Sequence, residues 1–175
     1  MNYPERDLHG PNQAQAITDL IKSLFLLEII KPSETLWLHF AWLSDIEILD
    51  NTSRKYAWCN PSWPSRKITL TEILDVILSK GGSVCLVLRK VDHNEFILRR
   101  LKKLKEEYAE RVEWRVVDNF HDKGMVGDHY FLSGSMNLTK NGITVNTEHI
   151  YLRTKPASIS EQKLHLKGEW ENYTP

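Results

Sequence analysis

The run Ser83 to Leu88, SVCLVL, is short, continuous and apolar. A stretch of that length without polar alternation reads as a strand covered on both faces, the habit of a parallel sheet. Its flanks agree. Ahead of it, Thr69-Leu70-Thr71-Glu72 is a capping box, Ile73, Leu74, Ile77 and Leu78 continue one helical face, and Gly81-Gly82 closes the helix. Behind it, Asp92 with Glu95 repeats the cap signal and opens a helix through about Tyr108, with Phe96, Ile97, Leu101 and Leu104 inward. Thr35 to Leu43 (TLWLHFAWL) reads as an earlier buried strand and Val112 to Val117 (VEWRVV) as a later one. Strand, helix, strand, helix, strand is the order of an α/β fold with right-handed crossovers.

The remaining segments attach to this frame. Residues 1–11 read as a loosely ordered tail. Residues 12–31 form a helix capped by Asn12, with Ile17, Leu20, Ile21, Leu24, Phe25 and Leu27 on its apolar side and Lys31-Pro32 ending it. Ser44 to Arg66 is a long loop whose Tyr56, Trp58 and Trp63 either pack over the sheet end or stack on bases, packing being favoured. His39, within the first buried strand, is a packed core residue in preference to a ligand. Met125-Val126 and Tyr130 to Leu132 form a hairpin, Glu148 to Leu152 a last strand, and Ser158 or Ser160 caps a short segment within 154–175. No repeat or internal boundary interrupts residues 1–175, which are expected to form one domain with its α/β core at 35–153.

Formal net charge is zero across 175 residues, so no global basic field announces a nucleic-acid partner, although a local patch would suffice. The outer side of the second crossover helix carries Arg99, Arg100, Lys102, Lys103 and Lys105, a solvated face in the first instance and a phosphate track in the second. Cys59 and Cys85 have neither metal-ligand spacing nor the density of a disulfide framework. With no signal-like leader and no apolar run near about 18 residues, a cytoplasmic protein without a membrane partner is expected.

The chemistry concentrates between residues 121 and 148. His121-x-Lys123 is followed after four residues by Asp128, after five more by Gly134-Ser135-x-Asn137, and then by Glu148. His-x-Lys alone means little, since His165-Leu166-Lys167 repeats it with nothing behind it. The conjunction is specific. It resembles the HKD motif of the phospholipase D superfamily, and its wording is closest to the small bacterial nuclease branch. The family's pattern has six residues where this chain has five between Asp128 and Gly134, a difference that falls in the hairpin.

The resemblance implies a phospholipase D-like mixed, largely parallel sheet flanked by helices, with one HKD half-site per chain. It implies His121 as a nucleophile forming a phosphohistidine, and Lys123, Ser135 and Asn137 as donors to the phosphate oxygens. Glu148 would fix the imidazole tautomer, Gly134 would let the backbone approach the phosphate, and Asp128 would be structural. No metal or other cofactor is required, because the positive groups supply the electrostatics. Cleavage also needs a second histidine to protonate the leaving oxygen. The family supplies two motifs and this chain has one, so a twofold homodimer is expected to complete the site, through the first helix, the aromatic loop or the strands beside the motif. A narrower resemblance rests on Leu36-Trp37, Ala41 to Ile46, Leu49-Asp50-Asn51 and Pro61-Ser62-Trp63-Pro64. It is to the DpdK-type proteins of bacterial 7-deazaguanine DNA modification and restriction systems, which implies protein partners from such a defence system. The expected function is a metal-independent nuclease on DNA or RNA, with Trp58 and Trp63 as candidate substrate contacts. The alternatives are a nucleic-acid-binding or assembly subunit with little turnover, and a phospholipase.

Overall fold

The computed structural model describes residues 4–9, 13–144 and 148–173. Its strands are β1 (Arg6–His9), β2 (Thr35–Phe40), β3 (Glu47–Asp50), β4 (Lys67–Thr69), β5 (Ser83–Arg89), β6 (Val112–Val117), β7 (Lys123–Val126), β8 (Phe131–Gly134) and β9 (His149–Arg153). The helices are α1 (Ala14–Ile30), α2 (Leu70–Ser79), α3 (Glu95–Tyr108), α4 (Lys140–Thr144) and α5 (Pro156–Asn172).

Seven strands form one mixed sheet in the order β1-β9-β8-β7-β2-β5-β6, and β3 and β4 form a small hairpin of their own. The pairs β2·β5 and β5·β6 are parallel, and the other four are antiparallel. Five strands nevertheless run one way, with β7 and β9 opposed, so the expected α/β architecture holds. Helices cover both faces because β2 is apolar on both sides of its pleat. Leu36, Leu38 and Phe40 enter the large core with α1, α2 and α3, whereas Trp37 joins Val126, Ile159 and Leu166 beneath α5. Burying Ile159 and Leu166 supplies on the order of 1.5–3 kcal/mol each, enough to hold the helix down.

Several local expectations change. Residues 6–9, expected in a loose tail, form the edge strand β1 against β9, with Arg6 opposite Leu152. The C-terminal segment is a 17-residue helix with Pro156 in its first turn, so Ser158 and Ser160 lie inside it and do not cap it. Phe96 points outward, where the Arg99 and Arg100 guanidiniums lie 5.9 and 5.5 Å from its ring, and only Ile97 and Leu101 of α3 are fully buried. The Asp92 cap is absent, because residues 92–94 make a 3-10 turn and Asn94 precedes α3 without capping it through its side chain. The Thr69 box is present, with the Thr69 N–H donating to Glu72 Oε2 at 3.0 Å. Asn12, the expected cap of α1, lies outside the described residues.

Candidate active site

One end of the sheet collects the motif. His121 lies just before β7 and Lys123 opens it, Ser135 and Asn137 follow the end of β8, and Glu148 precedes β9. Because β7 and β9 run against β8 and β2, their starts meet the carboxyl ends of the other strands, the usual place for chemistry in such sheets. The hairpin register is unbroken, Gly124 to Ser133 through Val126 to Phe131, so the shorter spacing between Asp128 and Gly134 is absorbed outside the paired residues.

The segment after β8 holds its polar side chains up by burying every other residue. Met136 and Leu138 are buried, and the Ser44 N–H donates to the Leu138 carbonyl at 3.0 Å. Ser135 and Asn137 are thereby turned to the other side. The Trp42 N–H donates to Asn137 Oδ1 at 3.0 Å. A backbone donor fixes the amide oxygen there, which leaves Nδ2 as the end able to donate to an anion. Ser135 Oγ donates to Glu148 Oε2 and accepts the His149 N–H at 3.0 Å. The contact at Glu148 Oε2 is thus with the serine, and the buried acid orients a hydroxyl. The Lys123 ammonium donates to the His121 carbonyl, which leaves other N–H bonds for a ligand. His121 and Ser135 are solvent-exposed.

Gly134 is required by the neighbouring strand: a Cβ there would lie 1.9 Å from the His149 carbonyl oxygen. The demand comes from β9. Asp128 sits at the far end of the sheet, away from His121. Its Oδ2 accepts the Glu34 N–H at 2.9 Å and Oδ1 accepts from Lys163 on α5. Burial pushes the Asp128 carboxyl upward, but Lys163 and the Glu34 amide outweigh it and hold the group below its ordinary value. Nearby, Glu28 Oε2 and Oε1 accept the Ser33 N–H and hydroxyl at 2.9 Å, and burial raises its pKa.

The two loop tryptophans separate. Trp63 is 4% exposed in the main core, which leaves no face for a base and corrects its assignment as a substrate contact. Trp58 is 58% exposed. Neither lines the cavity beside His121.

Three positioning residues carried no sequence signal of their role. Trp42, with its indole 46% exposed, holds Asn137 through its backbone. Asn94 is fully buried, accepts the Leu43 N–H at 2.9 Å and donates to the Ala41 and Arg89 carbonyls at 2.8 and 2.7 Å. It fastens both sides of Trp42. Gly142 in α4 stands where a Cβ would come within 2.2 Å of the Asn137 carbonyl oxygen. The pattern Asn137-x4-Gly142 was visible, but only packing gives it meaning.

A cavity of about 280 Å3 opens beside His121, with Lys123, Trp37, Val126, Phe131 and Leu166 among its lining residues. His39 lines it. This imidazole is 3% exposed, makes edge contacts with Trp37 and Phe120 at centroid distances of 6.1 and 5.8 Å, and neither ring nitrogen has a hydrogen-bond partner among the described residues. Burial, aided by His165, pushes its pKa down to about 4, so it is neutral at ordinary pH. Among the described residues no group of three or more His, Cys, Asp or Glu could hold a metal ion, and no helix is long and apolar enough to cross a membrane.

A family model described as "Cardiolipin synthase, PLD-like domain" matches residues 46–170. No curated protein matches the sequence significantly. Among solved structures, NucT from Helicobacter pylori superposes with a TM-score of 0.65 at 13% identity, covering 99% of each chain. Nuc from Salmonella typhimurium, described as a phospholipase D family member, gives 0.64 at 16% identity, covering 99% of this chain and 97% of its own. Phosphatidylserine synthase from Haemophilus influenzae gives 0.65 at 13% identity, with 95% of this chain matching 38% of that one. At these identities the likeness is one of fold.

Proposed function

The chain belongs to the phospholipase D-like family, and from that premise we propose that it is a metal-independent phosphodiesterase cutting DNA or RNA as a homodimer. The observation that carries this is the gathering of His121, Lys123, Ser135, Asn137 and Glu148 at one sheet end, with the imidazole open to solvent. An unprotonated ring nitrogen of His121 attacks phosphorus, and the bond from phosphorus to the leaving oxygen breaks. That oxygen takes a proton from His121 of a second copy across the twofold axis. The same ring then takes a proton from water, whose oxygen displaces the first imidazole and frees the phosphate. Lys123 and Asn137 Nδ2 donate to the non-bridging oxygens as charge builds there, and Glu148 sets the Ser135 hydroxyl beside them. The narrower likeness to DpdK-type proteins supports a role in bacterial defence or DNA modification, among partner proteins of such a system.

Labelled single- and double-stranded DNA and RNA incubated in EDTA test the proposal. The protein should cleave at least one of them, and His121→Ala should cut the rate by roughly a thousandfold or more, since nucleophile removal deletes the first step. Equal rates for the two proteins would overturn the enzyme reading. A monomeric mass under assay conditions would overturn the shared site.

A further inference from the structure

The mechanism above uses His121 and leaves His39 without a task. Buried polar groups are almost always hydrogen-bonded, and an imidazole with both nitrogens unmatched in an apolar wall is costly unless something meets it. His39 could have been a phenylalanine if packing between Trp37 and Phe120 were its whole purpose. It faces a cavity of about 280 Å3, near the lower end of the roughly 300–1,000 Å3 typical of small-molecule pockets. That space suits one ring system.

We propose that this cavity is a nucleobase subsite, in which His39 reads the edge of a base while His121 and Lys123, which also line it, hold the attached phosphate. The inference rests on the phosphodiesterase reading and names what that enzyme would recognise beyond the backbone. A neutral imidazole presents one N–H donor and one acceptor that point in divergent directions, so one of them can meet a donor or acceptor on a base edge. Trp37, Val126, Phe131 and Leu166 give the flat faces of a base an apolar lining. Gln162, reaching the same cavity from α5, adds an amide that both donates and accepts. The recognition group and the phosphate groups thus lie as neighbours, as base and phosphate do within one nucleotide.

The test is a histidine-ring NMR titration of the intact protein with the four nucleoside 5′-monophosphates, the free nucleosides, ribose 5-phosphate and inorganic phosphate. The His39 signals are assigned by their loss in His39→Leu. At least one nucleotide should move the His39 ring resonances, ribose 5-phosphate and phosphate should move those of His121 alone, and His39→Leu should weaken nucleotide binding at least fivefold with phosphate binding unchanged. His121 responding to phosphate while His39 ignores every nucleotide would overturn the subsite and leave the phosphodiesterase standing. Movement of His39 by inorganic phosphate would also overturn it, by making the cavity an anion site. Nucleosides moving His39 in a protein that cleaves nothing would uphold the subsite and remove the enzyme. If the variant folds poorly, the His39 signals are assigned in the wild type from their nuclear Overhauser contacts with the Trp37 and Phe120 rings, and the wild-type titration decides the matter.

Discussion

Lowering the pH from 7 to 4 should destabilise this protein by about 3 kcal/mol through His39 alone. In the unfolded chain its imidazole titrates near 6.5, and burial in the native state pushes that to about 4. Between those values the unfolded chain holds a proton that the native state refuses, so stability rises with pH across the window and is lost as pH falls through it. The full difference of about 2.5 units is worth roughly 3.4 kcal/mol, of which about 3 is lost by pH 4, where the native imidazole is itself about half protonated. For a chain of this size that amounts to a fall in Tm of roughly 6–12 °C. The perturbation is His39→Leu, and the assay is urea unfolding followed by far-ultraviolet circular dichroism from pH 7 to 4, wild type beside variant. Glu28, whose raised pKa acts in the opposite sense as pH rises through it, is present in both proteins and cancels in the difference. Between pH 7 and 4 the wild-type curve should fall by about 3 kcal/mol relative to the variant's. Curves that stay parallel within about 0.5 kcal/mol would show that burial does not keep His39 neutral, and the argument would fail.

Three further outcomes follow from the geometry. Asp128→Asn removes the charge opposite Lys163 but keeps an acceptor for the Glu34 amide, so chemical denaturation should register a loss of about 1–2 kcal/mol while cleavage per folded molecule stays within twofold. Gly134→Ala drives a methyl to 1.9 Å from the His149 carbonyl, so β8 and β9 must part. A loss of about 3 kcal/mol or more in thermal unfolding, with cleavage abolished, is expected, and near-wild-type stability would contradict the close approach. Asn94→Ala leaves the Leu43 amide and the Arg89 carbonyl without their side-chain partner, while the Ala41 carbonyl keeps the Arg89 N–H at 3.3 Å; this should cost about 3 kcal/mol in urea titrations, and a mild effect would mean Asn94 does not hold this turn.

What the sequence made legible was whatever a local pattern encodes. The six-residue apolar run, the Thr69 box and the alternating 112–117 stretch each carry their conformation within one turn or pleat of themselves, and the parallel trio β2, β5 and β6 follows from them. The site was legible because its residues come from one contiguous meander. Failures came where partners are remote. β1 is four residues, Arg-Asp-Leu-His, and only its pairing with β9 makes them a strand. Trp58 and Trp63 are the same residue type in one loop, and tertiary packing alone decides that one is core and the other surface. Asn94 lies inside the Asp92–Glu95 stretch that reads as a helix start, and nothing local shows that its side chain is spent on the turn after β2. α5 did have a local signal, Pro156 at its start, but its buried positions Ile159 and Leu166 are too sparse to announce an amphipathic helix.

The placement of β1 beside β9 also bears on synthesis. Arg6–His9 are made before their partner, His149–Arg153, which follows about 140 residues later. At roughly 5–20 residues per second this is a wait of roughly 7 to 30 seconds. A segment that must stay unpaired so long while other strands assemble is safer if it attracts no stray edge, and charged side chains are the common means. Arg6 and Asp7 suit that interval, and on arrival Asp7 accepts from Arg153 at 2.7 Å. The same charges that hid β1 from a pattern search keep it from premature company.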